Sequence, residues 1–169
     1  MALKPDRHVV VDEISYFLNE TATRGKVLSF STFGSGAAMD QSVALLTVAA
    51  NGSGAFPAGL LLGDMVNYDL TRQHLNQHKD EIQVGSKVCI LMNGWAVTDQ
   101  IKPGITPAVG DLAYLGPTGY ITNAATILSS VTFTGAPTTN APLIGQFMSI
   151  KDSDGFAKVY INLPQGRVV

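Results

Sequence analysis

The sequence predicts an all-β protein, an antiparallel barrel or sandwich with a short N-terminal arm and at most one or two short helices. Three observations lead there. Short apolar runs recur at roughly 8–12-residue spacing, each bounded by Gly, Pro, Asn or Ser. Several of these runs alternate apolar and polar residues with the period of two that a pleated strand imposes. Helical periodicity is scarce, and 17 glycines and 8 prolines punctuate the chain.

Residues 1–26 differ from the rest and are expected to form the arm, with residues 27–169 as the β-rich core domain. Val9-Val10-Val11 is extended in character, after which Val10, Ile14, Phe17 and Leu18 fall at helical spacing, so one or two helical turns are expected around residues 12–19. This segment combines eight charges with the cluster Tyr16, Phe17 and Leu18, as an arm docking on a neighbour would. A first strand and helix folded back on their own domain fit the same pattern.

From Val27 the punctuation is that of strands. Residues 27–33 form one, closed by Gly34-Ser35-Gly36, and residues 41–50 another, ended by Asn51-Gly52-Ser53-Gly54. Residues 60–70 follow, with Val66, Tyr68 and Leu70 alternating against Asn67 and Asp69. Thr71 is placed to cap a short helix in the most polar tract of the chain, residues 71–81. Three hairpins come next. Residues 88–92 and 95–100 are joined by Asn93-Gly94, the pair a type I′ turn favours. Gly116-Pro117-Thr118-Gly119 reverses the chain between residues 111–115 and 120–122, and residues 151–155 do so between 143–150 and 156–163. In the last strand Ala157, Val159, Ile161 and Leu163 share one face, opposite Lys158, Tyr160 and Asn162.

Charge is the most informative feature of composition. Charged residues make up 14% of the chain, against about a quarter in an ordinary soluble domain. Between Lys102 and Lys151 the only charged side chain in 48 residues is Asp111, and from Val27 to Gly63 the only one is Asp40. Extended faces without charge tend to associate. Both intervals are rich in Gly, Ala, Ser, Thr and Pro, and they predict surface that another protein covers. A net charge of −2 offers no basic stripe for nucleic acid. No run reaches the ~18 apolar residues of a membrane helix, and the N-terminus lacks a signal-peptide pattern; synthesis in a cytoplasm is expected.

Candidate chemistry is thin. Cys89 stands alone in an apolar run and predicts a buried inert thiol. His74 and His78 would share a helical face near Asp80 and Glu81, but a third ligand is missing, so two exposed polar histidines are the expectation; at an interface such neighbours would make assembly acid-sensitive. Asp152-Ser153-Asp154-Gly155 opens like a calcium loop, yet its twelfth position is Leu163, which favours a hairpin turn. Asp64 and Asp69, five apart, would point to opposite faces of a strand. Trp95, Tyr120, Phe147 and Tyr160 would serve to stack on sugars, though core or contact roles suit a β scaffold better. No cofactor, metal or catalytic residue is assigned.

Three segments together resemble head decoration, or cement, proteins of tailed phages: residues 66–74, residues 109–122 (Gly110-Asp111, Tyr114, Gly116, then Gly119-Tyr120-Ile121-Thr122), and Ile144-Gly145-Gln146-Phe147 with the Asp154-Gly155…Lys158-Val159 hairpin. The resemblance implies a β-rich virion structural protein without catalysis, bound as a homotrimer to the outer capsid surface and bridging major capsid protein subunits. It implies no nucleic-acid or membrane partner. The expected contact residues are Val10, Ile14, Tyr16, Phe17, Leu18, Phe30 and Phe33. The alternatives are another virion part, such as a tail or spike component, and a carbohydrate-binding β module centred on Trp95.

Overall fold

The computed structural model describes residues 2–32, 45–48, 56–64, 80–125 and 141–163. Their strands are β1 (Leu3–Leu18), β2 (Ala22–Thr23), β3 (Val27–Thr32), β4 (Leu45–Thr47), β5 (Pro57–Asp64), β6 (Glu81–Ile82), β7 (Lys87–Thr98), β8 (Leu112–Leu115), β9 (Ile121–Thr122), β10 (Leu143–Phe147) and β11 (Ala157–Asn162). Strands make up 58% of the described residues and helix 3%, the latter a single 3-10 turn at Pro117–Gly119. The fold is all-β, as the punctuation predicts.

β7 is the hub. Along one edge it pairs antiparallel with β1, from Leu3↔Thr98 to Phe17↔Lys87. Along the other it pairs with β5 through residues 88–91 and with β11 through residues 93–98. The pairings β1–β4, β4–β3, β3–β5, β5–β7 and β7–β1 close a ring of five strands. From the second half of β7, strands β11, β10, β8 and β9 continue as an open sheet. β2 and β6 form a separate two-stranded ribbon.

Two cores follow from this division. Leu18, Ala22, Leu28, Leu46, Leu61, Ile82, Val88 and Ile90 form one; Leu60, Leu62, Leu91, Leu115, Ile121, Ile144, Phe147, Val159 and Ile161 form the other. Neighbouring residues of one strand thus enter different cores: Leu60 and Leu61 on β5, Ile90 and Leu91 on β7. A strand buried on both faces needs a continuous apolar run, which Ala58-Gly59-Leu60-Leu61-Leu62 supplies. Each fully buried Leu or Ile contributes roughly 1.5–3 kcal/mol.

The hairpin expected at Asn93-Gly94 is not formed; residues 87–98 are one strand. Gly94 serves another purpose. Its φ is +142°, and a Cβ there would overlap the carbonyl oxygen of His8 on β1. Glycine marks a close approach of two backbones where β7 changes partner, not a reversal. The other two hairpins form as expected, with β8 paired to β9 and β10 to β11.

The helical turns expected around residues 12–19 are also absent, because β1 runs unbroken to Leu18. Its β-branched run suits a strand, and pairing with β7 overrides a weak helical period. The segment expected as an arm is therefore laced into the sheet as a first strand folded on its own domain. Ion pairs fasten it further: Lys4 Nζ lies 2.5 Å from Asp152 Oδ2, and Lys158 Nζ lies 2.7 Å from Asp6 Oδ2. The strand expected at residues 60–70 appears as Pro57–Asp64. Its continuation and the helix expected after Thr71 lie outside the described residues.

Candidate docking faces

The outward face of the open sheet is built row by row from the register. His8 pairs with Trp95, Trp95 with Tyr160, Tyr160 with Gln146 and Gln146 with Leu112. One line of side chains therefore crosses β1, β7, β11, β10 and β8 in order. Its middle is aromatic and polar. His8 stacks on Trp95 with ring centroids 4.6 Å apart and planes 25° from parallel. Lys158 Nζ lies 5.5 Å from the centre of the Trp95 ring. The Tyr160 hydroxyl donates to Asn93 Oδ1 at 3.0 Å, and Asn93 Nδ2 to Asn162 Oδ1 at 3.4 Å. A sugar would have to stack on a Trp95 ring that His8 and Lys158 already contact.

At the β8 end the row runs into apolar surface. Leu112 is 48% exposed, Met148 45%, Val109 68% and Ile150 64%. The main chain brings these segments together: Gly110 N–H donates to the Phe147 carbonyl at 2.8 Å, and Phe147 N–H to that of Asp111 at 2.8 Å. All four residues fall within the charge-poor interval. Its one carboxylate is turned to local use, since Asp111 Oδ2 accepts the Ala108 N–H at 2.9 Å and Asn123 Nδ2 at 3.0 Å. Those bonds, the Ala108 amide foremost, hold its carboxyl below the usual range. Asp111 therefore stays ionised, and the patch carries a single charge that is held within its own loop.

At the β1 end lies a second apolar stretch, Val9, Val10 and Val11, all exposed. Val9 faces Gly94 and Val11 faces Asn93, so Val10 is an extra residue on β1, a bulge.

The expected contact residues divide. Val10 is exposed at 58%. Leu18, 1% exposed, belongs to the ring core and is not available to a partner; its apolar character reflects folding. Tyr16 and Phe30 are half-buried against that core and meet edge to face at 5.4 Å. Phe17 is half-buried beside β4. Ile14 lies on β1, but its side chain is outside the described residues, as is Phe33 altogether. Sequence reasoning found the neutral interval yet missed Val109, Leu112, Met148 and Ile150. Isolated apolar residues near turns carry no periodic signal, and only the charge gap pointed to them.

The other candidate groups make local contacts among the described residues. Burial and the neighbouring Asp12 carboxylate push the Cys89 thiol up to about 11, so it stays protonated at neutral pH. Asp152 Oδ1 accepts the N–H groups of Asp154 and Phe156 at 3.0 and 2.8 Å while Oδ2 faces Lys4; this carboxylate organises a hairpin turn. Asp64 lies 3.5 Å from Arg24; Asp69, His74 and His78 lie outside the described residues. Among the described residues no group of three or more His, Cys, Asp or Glu is gathered to hold a metal, and no helix is long and apolar enough to cross a membrane. Searches of the sequence against known protein families and against curated proteins find no match.

Proposed function

We propose that this protein is a non-catalytic structural subunit of a virion, a head decoration protein that binds the outer capsid surface and bridges major capsid protein subunits. One observation carries the reading. Val109, Leu112, Met148 and Ile150 are exposed together in a stretch whose single charge, Asp111, is bound within its own loop. Neutral apolar surface of this kind marks protein contact, and the resemblance of residues 66–74, 109–122 and 144–159 to phage cement proteins supplies the partner. Residues 109–122 carry both the resemblance and half of the patch. The homotrimer implied by that resemblance belongs to the same proposal, with three copies meeting at a three-fold point of the shell.

Stabilisation then follows from mass action, because a ligand that binds only the mature shell lowers the free energy of that state. Many weak neutral contacts on one shell add up through multivalency. The test is co-sedimentation with purified expanded shells of the cognate virus stripped of their outer proteins. Saturable pelleting at a fixed ratio to the major capsid protein supports the reading; a chain that stays in the supernatant overturns it. Microscopy of labelled particles separates the head from a tail or spike position.

A further inference from the structure

Among the described residues, β1 has one occupied edge and one open edge. From Leu3 to Tyr16 it pairs with β7 alone among the described residues, and β4 joins its other edge only at Phe17 and Leu18. An open edge of this length is a template for another strand. Its centre is Val9-Val10-Val11, exposed on both faces of the strand, with the bulge at Val10.

The charges around that centre are ordered. Arg7 and His8 precede the valines, and Asp12 and Glu13 follow them. When two copies of the strand are laid antiparallel about a two-fold axis at Val10, Arg7 falls opposite Glu13, His8 opposite Asp12, and Val9 opposite Val11. Every pair is complementary. A slip that moves the axis between Val9 and Val10 keeps an opposite-charge pair, Arg7 with Asp12, but sets Asp6 against Glu13 and leaves His8 facing Val11. Like charges across strands repel and opposite ones attract, so the register centred on Val10, which sets no like charges together, is favoured over that slip. A two-fold contact is self-complementary by construction, and this stretch is complementary to itself.

We infer that β1 is a self-association edge, where a second copy of this chain pairs antiparallel through Val9, Val10 and Val11 with Arg7 opposite Glu13. The contact is independent of the lattice reading. It uses β1, whereas the apolar patch lies at the start of β8 and in the segments before β8 and after β10, so a two-fold joint and a shell contact coexist on one subunit.

Cysteine cross-linking tests it. In a Cys89→Ala background, Val10→Cys is expected to yield a disulfide-linked dimer under mild oxidation, while Val84→Cys, also well exposed at 61%, stays monomeric under the same conditions. Charge reversal tests the register. Arg7→Glu and Glu13→Arg each weaken self-association on the order of tenfold, because the symmetric joint holds two such pairs; the double variant restores it. Circular dichroism confirms that each variant is folded. Absence of the Val10→Cys dimer, or a double variant as weak as the singles, overturns the inference even where shell binding is intact.

Discussion

Gly94 lies directly beneath the carbonyl oxygen of His8, so close that a side chain at position 94 has no room. The contact falls where β7 leaves β5 for β11, and it lets one strand serve the closed ring and the open sheet.

Replacing Gly94 by Ala is therefore expected to cost about 2 kcal/mol or more, from positive φ and backbone overlap together. Gly155 separates the two effects. Its φ is +89° with nothing near a Cβ, so Gly155→Ala carries the dihedral strain alone, about 1 kcal/mol. Urea unfolding of the two variants checks the order.

The same residue shows where the sequence was legible and where it was not. Alternation in residues 157–163 gave the buried and exposed faces of β11, and two turn sequences gave true reversals. Asn93-Gly94 carried the local signature of a hairpin, but a glycine needed for a turn and one needed for a close crossing look alike until the crossing strand is known. Likewise Val10, Ile14, Phe17 and Leu18 matched a helix by spacing alone, while pairing over the length of β7 fixed a strand. Leu18 reads as a contact residue in the sequence because apolar side chains look the same in a core and on a docking face. The neutral interval was readable directly, since charge needs no partner to be counted.

Integration of β1 makes truncation costly. Removing residues 1–26 takes Leu18 and Ala22 from the ring core and opens the ring. The shortened chain is expected to lose its cooperative unfolding transition, where a detachable arm would leave it intact. Leu18→Ala should cost about 2–5 kcal/mol by denaturant titration.

Cys89 is expected to react slowly with iodoacetamide in the native protein. Burial and the Asp12 carboxylate push its thiol up to about 11, so far less thiolate is present at neutral pH than in an ordinary cysteine. Unfolding in urea should restore ordinary reactivity.

Acid should weaken the fold before base does. Lys158 draws the Asp6 carboxyl down, the Ala108 amide that of Asp111, and Lys4 that of Asp152. A depressed carboxyl contributes stability above its unfolded value, near 3.8, and loses it as pH falls through the lower folded value. Lys4 is raised by Asp152, so its contribution is full below 10.5 and fades as pH climbs past the folded value. The urea midpoint is expected to hold steady from about pH 5 to pH 9 and to fall below about pH 4. Asp152→Asn should flatten part of the acid limb.

The neutral patch makes two claims on binding. Leu112→Asp or Met148→Asp, both at exposed positions, should leave the unfolding midpoint nearly unchanged yet abolish pelleting with shells. Wild-type binding should vary little with ionic strength, since screening acts on charges and the patch holds only Asp111.

The mass of the purified chain in solution, measured by sedimentation equilibrium at low and high salt, tests most directly whether these neutral faces are covered by protein, beginning with the chain's own copies. Covered faces predict a multiple of 17.8 kDa, which added salt loosens only where the joint rests on the Arg7 and Glu13 pairs. A species that remains at 17.8 kDa at every concentration tried would contradict it.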